Sequence, residues 1–293
     1  MSFVERALAV RRWQSNGKRA PHKPLLLLFA LAQFQREGDT PIVYSAVESR
    51  LAALVKEFGP PNPTGLHYPF HHLTSDGLWT VTTRDGGPSP GPSPAKLRDS
   101  GARGCFAPDV ADELRRHPEV LVQAAHALLD ANFPESLHED LCEAIGLDLH
   151  QADSPRLRQA PLRRRDPGFR RAVLRAYEYT CAFCGYEGRL DDSSTVGLDA
   201  AHIRWFAFDG PDVVDNGLCL CSLHHVLFDK GVLTLTEDHR IDVTEAFVGR
   251  TPNTRVQVHS LAGRRIDAPR QGLAAAHLSW HRTQVFRGSG TAA

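Results

Sequence analysis

Two residue pairs with the same spacing constrain the fold of this chain more than any other sequence feature. Cys181 and Cys184 are separated by two residues, and Cys221 and His224 repeat that spacing. Two such pairs supply the four ligands of a tetrahedral structural zinc site. Disulfide bonds are the competing interpretation. Six cysteines in 293 residues, with no recognisable signal peptide, instead favour a reducing, cytoplasmic compartment and therefore zinc.

Cys219 is an alternative fourth ligand in place of His224. We favour His224 because a second pair with regular spacing is the usual zinc pattern. Cys219 is then expected to be a small, buried, apolar residue.

Three further polar residues lie between or beside these pairs. His202 ends an apolar stretch, 196–203, that predicts a strand, and Asn216 lies in a turn-like segment, 212–217. His225 directly follows the proposed zinc ligand at the start of a predicted helix. A strand, a loop and a helix held by one metal form a ββα module, in which two imidazoles and one carboxamide could form a catalytic centre.

The segments AHIRWF, NGLCLC and SLHHVLFDKG resemble those of HNH (ββα-metal) endonucleases, in the subgroup that contains zinc. The resemblance covers roughly residues 166–231. It implies that His202 is the general base and that Asn216 holds the loop and orients that base. It also implies that His225 binds a catalytic divalent cation, Mg²⁺ or Mn²⁺.

The acidic ligand of that cation departs from the family pattern. The family often places it immediately before the base, where this chain has Ala201. Asp199 is the substitute ligand that we predict, and Asp229 is another candidate. A carboxylate on the face or at the end of a helix is an equally good interpretation of Asp229.

The N-terminal half has mainly helical patterns. Pro24 precedes LLLLFALAQFQ, which predicts a helix that is apolar nearly all round and therefore central to a core. Segments 108–116, 119–131 and 136–145 also predict helices. The segments HYPFHHL and LWTVTTR flank 74–77, a turn sequence that predicts a β-hairpin.

Domain boundaries follow from composition. Residues 148–165 are polar, basic and proline-containing, which is typical of a linker between domains at 1–147 and 166–293. Beyond residue 231, VLTLT and RVQVHS predict strands, and 272–286 predicts a closing helix. The expected fold class is α+β, with a mostly helical N-terminal DNA-binding domain and a C-terminal ββα-metal domain. No apolar run is long enough to span a bilayer.

Two basic clusters indicate contact with a nucleic-acid backbone. Residues 6–23 contain six Lys and Arg and no acid, and residues 156–175 contain eight Arg against Asp166 alone. Such runs are often only solvated surfaces. Beside a nuclease pattern they favour contact with phosphates, for which we predict Arg170 and Arg171.

The segments PHKPLLLLFAL and HYPFHHL resemble the sulfur-binding domain of phosphorothioate-dependent type IV restriction endonucleases, over roughly residues 1–145. The resemblance implies an apolar pocket for backbone sulfur, with cationic side chains at the adjoining phosphates. His72 occupies the place where the family has a small residue. The residues implied to contact DNA are Arg19, His22, Lys23, Tyr68, Pro69 and His72.

The expected function is a modification-dependent endonuclease that acts on double-stranded DNA with a sulfur-modified backbone. One catalytic centre cuts one strand, so a double-strand break predicts a homodimer. Two other functions remain open, namely an HNH nuclease that recognises methylated bases and a non-catalytic, zinc-stabilised DNA-binding protein. Tyr68 and Pro69 have their own alternative, as core residues at the edge of a strand.

Overall fold

The computed structural model describes residues 1–10, 21–61, 65–149, 166–190 and 194–288. The chain divides into two compact units, Met1–Leu162 and Arg163–Ala293. Arg19 and residues 150–165 of the expected linker lie outside the described residues. None of the helices within the described ranges has the length and apolar character needed to cross a bilayer.

Helices dominate the described part of the first unit. They are α1 (Phe3–Leu8), α2 (His22–Glu37), α3 (Tyr44–Phe58), α4 (His67–His72), α5 (Pro94–Asp99), α6 (Pro108–Arg116), α7 (Pro118–Asn132) and α8 (His138–Ile145). The predicted helices at 108–116, 119–131 and 136–145 are confirmed, the last with its first residues in a 3-10 turn.

Helix α2 is the centre of this unit, as its sequence predicts. Nine consecutive residues, 24–32, are buried, so every face of the helix is covered by other elements. Pro24 lies in the first turn, where its missing N–H costs no intrahelical hydrogen bond. Gly38 ends the helix, and its amide donates to the carbonyl of Phe34.

A small antiparallel sheet completes the unit, with strands β1 (Ile42–Val43), β2 (Trp79–Thr82) and β3 (Arg103–Phe106) in the order β1-β3-β2. The hairpin predicted around 74–77 is wrong. Segment 67–72 is helix α4, continued by a 3-10 turn to Asp76. Leu66, Phe70 and Leu73 are all buried, and this spacing of four and three residues belongs to a helix.

The second unit has short strands in antiparallel pairs and four helices within its described residues. The strands are β4 (Arg189–Leu190), β5 (Ser194–Thr195), β6 (Leu198–His202), β7 (Gly217–Cys221), β8 (Leu233–Leu235) and β9 (Ile241–Val243). The helices are α9 (Pro167–Ala176), α10 (Ser222–Asp229), α11 (Pro252–Gln257) and α12 (Ala275–Gln284).

The elements beyond residue 231 match the sequence predictions in two of three places. VLTLT contains β8 and segment 272–286 contains α12, as predicted. The strand predicted for RVQVHS is wrong, because its first half belongs to α11. Thr251 caps that helix by accepting from the amide of Thr254, and Pro252 occupies its first position. These helix-starting signals outweigh the alternation of polar and apolar residues.

The predicted ββα module consists of β6, β7 and α10. The two strands pair with His202 opposite Gly217, and α10 begins directly after Cys221. Helix α9 packs over this hairpin through Phe169 and Val173. A Cβ atom at Gly217 would lie 2.4 Å from Val173 Cγ2, so only glycine allows the helix this close to the strand.

Candidate metal centre and nuclease site

The four predicted zinc ligands meet at one point. The Sγ atoms of Cys181, Cys184 and Cys221 and a ring nitrogen of His224 all lie within 4.8 Å of one another. Individual separations include 4.0 Å between Cys184 and Cys221, and 3.7 Å from Cys181 Sγ to His224 Nδ1. Four ligands about 2.3 Å from a tetrahedral zinc ion would be separated by about 3.8 Å, so these residues fit a metal ion.

Electrostatics in the cluster favour a bound cation. The pKa of Cys181 is lowered because Cys184 and Cys221 donate hydrogen bonds to its sulfur. Burial alone would lower the pKa of His224, but hydrogen bonds with Cys181 and Cys221 raise it to about 10. The cluster therefore stabilises positive charge at its centre, and a metal ion would replace the proton on Nδ1 of His224, the ring nitrogen that faces the sulfurs.

The orientation of His224 is fixed from outside the cluster. Its Nε2 lies 2.9 Å from the backbone oxygen of Gln257, which can only accept a hydrogen bond. The proton on Nε2 leaves the lone pair of Nδ1 directed at the thiolates, as in many metal-binding histidines. Gln257 is a contributor that the sequence pattern does not reveal.

Cys219 lies outside the cluster, as we expected. It is fully buried in β7, opposite Ala200, and burial raises the pKa of its thiol to about 12. A protonated thiol is a poor metal ligand. The choice of His224 over Cys219 therefore agrees with the geometry.

His202 lies at the end of β6 within a tightly defined environment. Its Nε2 is 2.7 Å from Asp212 Oδ1, and each of the two side chains is 12% exposed. The ring stacks on Phe169 of α9, with centroids 4.1 Å apart and planes 19° from parallel. One edge and one face of the imidazole are thus fixed.

Asn216 is fully buried and holds the loop between β6 and β7. Its Oδ1 accepts from the amide of Arg204 at 2.8 Å, and its Nδ2 donates to the carbonyls of Arg204 and Pro211 at 3.0 Å. Its own backbone oxygen accepts from the amide of Ile203. These bonds join both ends of the loop that carries Asp212, so Asn216 acts on His202 through that loop.

His225 lies on α10 between two carboxylates. Asp229 Oδ2 is 3.2 Å from Nε2, and Asp199 Oδ2 is 3.8 Å from Nδ1. The Asp229 side chain is almost fully buried, whereas that of Asp199 is 53% exposed. Both candidate acidic ligands therefore lie beside His225, although they face different ring nitrogens.

Arg170, on α9, contacts Asp199. Its Nε donates to Asp199 Oδ1 at 3.0 Å, and its terminal nitrogen donates to the carbonyl of Leu198. The Arg170 side chain is 52% exposed, and these two bonds use only part of its five N–H donors. Arg171 is exposed on the same helix.

In the first unit, the predicted sulfur-pocket residues lie on α4. Tyr68 is 46% exposed, while the next two residues, Pro69 and Phe70, are buried. The ring of exposed His72 is nearly parallel to that of Tyr68, with centroids 6.3 Å apart. His67 precedes Tyr68 in the chain, and the centroids of their two rings are 4.5 Å apart. The alternative of a strand edge is wrong, but Pro69 and Phe70 do contribute to the core.

The candidate cations of the first unit are less accessible. His22 and Lys23 begin α2, and Lys23 Nζ lies 2.5 Å from Asp76 Oδ2. The Lys23 and Asp76 side chains are 19% and 9% exposed, so this pair is largely shielded from solvent. A phosphate at Lys23 would therefore share the lysine with Asp76.

Comparison with known families gives two matches. The family of the ScoMcrA-like DNA sulfur-binding domain matches residues 1–150, and the HNH endonuclease family matches residues 181–236. Both resemblances inferred from sequence motifs are thereby confirmed. No curated protein matches the chain in sequence.

Several solved structures are similar to parts of the chain. The sulfur-binding domain of ScoMcrA complexed with phosphorothioated DNA is 26% identical, with a TM-score of 0.41, over 50% of this chain and 96% of that one. The type IV phosphorothioation-dependent restriction endonuclease ScoMcrA is 24% identical, with a TM-score of 0.43, over 69% of this chain and 42% of that one. The modification-dependent TagI restriction endonuclease is 25% identical, with a TM-score of 0.32, over 40% of this chain and 37% of that one.

Proposed function

Because this chain belongs to the family of ScoMcrA-like DNA sulfur-binding domains and also contains an HNH endonuclease domain, we propose that it cleaves DNA in response to backbone phosphorothioation. The first domain, residues 1–147, binds the modified duplex, and the second, residues 166–293, hydrolyses a phosphodiester nearby. The observation that carries this proposal is the presence of both domains in one chain.

Recognition of sulfur uses the surface of α4. A phosphorothioate sulfur is larger and more weakly hydrated than a phosphate oxygen. The exposed ring of Tyr68, next to the buried Pro69 in α4, desolvates sulfur at low cost, whereas an oxygen placed there loses hydrogen bonds to water. Burial lowers the pKa of His67 and also that of His71, which favours the uncharged form of both rings. The ring of His72 lies nearly parallel to that of Tyr68. It occupies the position where the family has a small residue, and so reduces the surface on which the sulfur can rest.

Cationic side chains supply affinity that does not depend on base sequence. In the first domain, the phosphates beside the sulfur are bound by His22, Lys23 and Arg19. In the second domain, the DNA backbone near the scissile bond is bound by Arg170 and Arg171. Arg170 shares its charge between Asp199 and the phosphate, so its contribution is smaller than that of an arginine without a carboxylate partner.

Hydrolysis depends on His202. Its neutral imidazole takes a proton from a water molecule, whose oxygen forms a bond to phosphorus as the bond to the 3′ oxygen breaks. The leaving oxygen then takes a proton from solvent. Asn216 maintains the loop that holds His202, and His225 with Asp199 holds the catalytic cation. Bound Mg²⁺ or Mn²⁺ would neutralise charge on the phosphate and on the leaving oxygen.

The Cys181, Cys184, Cys221 and His224 cluster binds structural zinc in this proposal. Three thiolates and one imidazole suit zinc, and no position remains for substrate.

One HNH centre cuts one strand, so two copies of the chain acting together account for a double-strand break. Because its substrate is DNA, we place the protein in the cytoplasm of the cell that contains that DNA.

A binding titration tests recognition directly. The full chain, with His202 replaced by alanine to prevent cutting, is titrated with duplexes of one sequence that differ by a single backbone sulfur. Binding at least tenfold tighter to the sulfur-containing duplex is expected, and Tyr68→Ala should remove most of that difference. Tyr186→Ala is the matched control, because Tyr186 is similarly exposed (43%) in the other unit. Equal affinity for both duplexes would contradict the proposal, and preference for a methylated duplex would replace it.

A further inference from the structure

Asp212 contacts two hydrogen-bond donors at once. Its Oδ1 lies 2.7 Å from His202 Nε2, and its Oδ2 accepts from the backbone amide of Asp166 at 2.7 Å. Asp166 is the N-cap residue of α9, and the same helix supplies Phe169, which stacks on His202. The carboxylate thus connects the candidate base to the helix that packs against it.

We propose that Asp212 is the positioning residue of the nuclease centre, which fixes His202 as the Nε2–H tautomer and leaves Nδ1 as the atom that takes the proton from water. A carboxylate can only accept hydrogen bonds, so the ring nitrogen facing it must carry hydrogen. The other ring nitrogen then carries the lone pair. This inference rests on the proposed function for its catalytic meaning, but the tautomer is a property of the protein alone.

The position of Asp212 supports this role. Both partners are largely shielded from solvent, so the hydrogen bond meets little competition from water. The loop that carries Asp212 is closed by Asn216, whose amide bonds to Pro211, the residue before Asp212. The stacked ring of Phe169 restricts rotation of the imidazole. Tautomer and ring orientation are therefore set by separate contacts.

The Asp212→Asn variant gives a specific test, because an amide has only one accepting atom. The amide of Asp166 is an obligatory donor and keeps the carboxamide oxygen. The NH₂ group is then left facing His202 Nε2, which must become the acceptor. The proton of the imidazole then moves to Nδ1. The variant should therefore switch His202 to the Nδ1–H tautomer, rather than merely weaken the hydrogen bond between the two side chains.

The tautomer is measured by ¹⁵N NMR of histidine-labelled full-length protein without DNA, at about pH 8.5, where an ordinary imidazole is neutral. The His202→Ala spectrum assigns the signal among 15 histidines. We expect protonated Nε2 in the wild type and in the control Asp209→Asn, which removes an acid from the same loop. We expect protonated Nδ1 in Asp212→Asn. A wild type with protonated Nδ1 overturns the proposal even if the variant fails to fold, and so does a folded Asp212→Asn that keeps protonated Nε2.

Cleavage of a phosphorothioated duplex supplies the second measurement. Asp212→Asn should cut about 10²- to 10⁴-fold more slowly than the wild type, the usual contribution of a general base, with unchanged DNA affinity. Asp209→Asn should cut at the wild-type rate. If the wild type cuts no duplex, the proposed function fails, while the NMR result still decides the role of Asp212. Wild-type cutting by Asp212→Asn would overturn the positioning role alone.

Discussion

At the scale of single residues, Asn216 shows how one buried polar side chain can organise a site. Its three side-chain hydrogen bonds satisfy one amide and two carbonyls, all of them partly buried. Removing the carboxamide would leave these groups without partners. The cost of each unsatisfied buried group is about 1–3 kcal/mol, so we expect this residue to act first on stability and only through His202 on catalysis.

Replacing Asn216 by alanine is expected to lower the free energy of unfolding of the second unit by about 3 kcal/mol, because three partly buried backbone groups lose their partners. Thermal or urea unfolding of the full chain measures this loss. Asn253→Ala is the control, since Asn253 is exposed on α11 and should change stability by less than about 0.5 kcal/mol. Equal stability of the two variants would contradict the role of Asn216.

Residue types with a strong spacing signal could be predicted from the sequence, and partners that depend on loop geometry could not. His224 was preferred over Cys219 from spacing, and the cluster has that composition. Asp212 was missed, because Asp209 and Asp215 lie in the same segment and nothing in the sequence distinguishes them. The pairing of Arg170 with Asp199 was missed for a similar reason, since it joins a helix to a strand 29 residues away.

At the scale of elements, β6, β7 and α10 depend on the metal cluster. These three short elements contain 18 residues in all, and Cys221 and His224 connect the end of β7 to α10. Cys181 and Cys184 tie the segment after α9 to the same point. A bound ion would therefore link segments that are far apart in the sequence, in addition to their apolar packing.

Replacing Cys181 by serine is expected to remove bound zinc and to unfold the second unit, because the binding energy of a structural metal is also folding energy. Zinc content of the purified protein and circular dichroism measure the two effects together. Cys219→Ala should retain zinc and a folded structure, since its thiol is buried outside the cluster. A Cys181→Ser protein with full zinc content would show that the cluster is not the binding site.

Elements with a clear period or cap were predictable from sequence, and elements with mixed signals were not. Helix α2 followed from an apolar run with Pro24 and Gly38 at its ends. The sequence of α4 predicts a strand because Tyr68 and Phe70 are residue types that favour strands. Only its packing shows that the buried positions recur with a helical spacing.

At the scale of the whole molecule, two compact units carry the two halves of the proposed activity. The sulfur-binding family covers the first and the HNH family lies within the second. Recognition and cleavage should therefore be separable by mutation. A change at Tyr68 should affect which duplex is bound, and a change at His202 should affect whether a bound duplex is cut.

Cleavage of matched duplexes by the full chain tests the central claim most directly. Two duplexes of identical sequence, with and without backbone sulfur, are incubated with Mn²⁺ and with the wild type, His202→Ala or Tyr68→Ala. We predict that the wild type cuts only the sulfur-containing duplex. We also predict that His202→Ala binds it without cutting, and that Tyr68→Ala loses the preference for sulfur. Equal cutting of both duplexes by the wild type, or undiminished cutting by His202→Ala, would contradict the account.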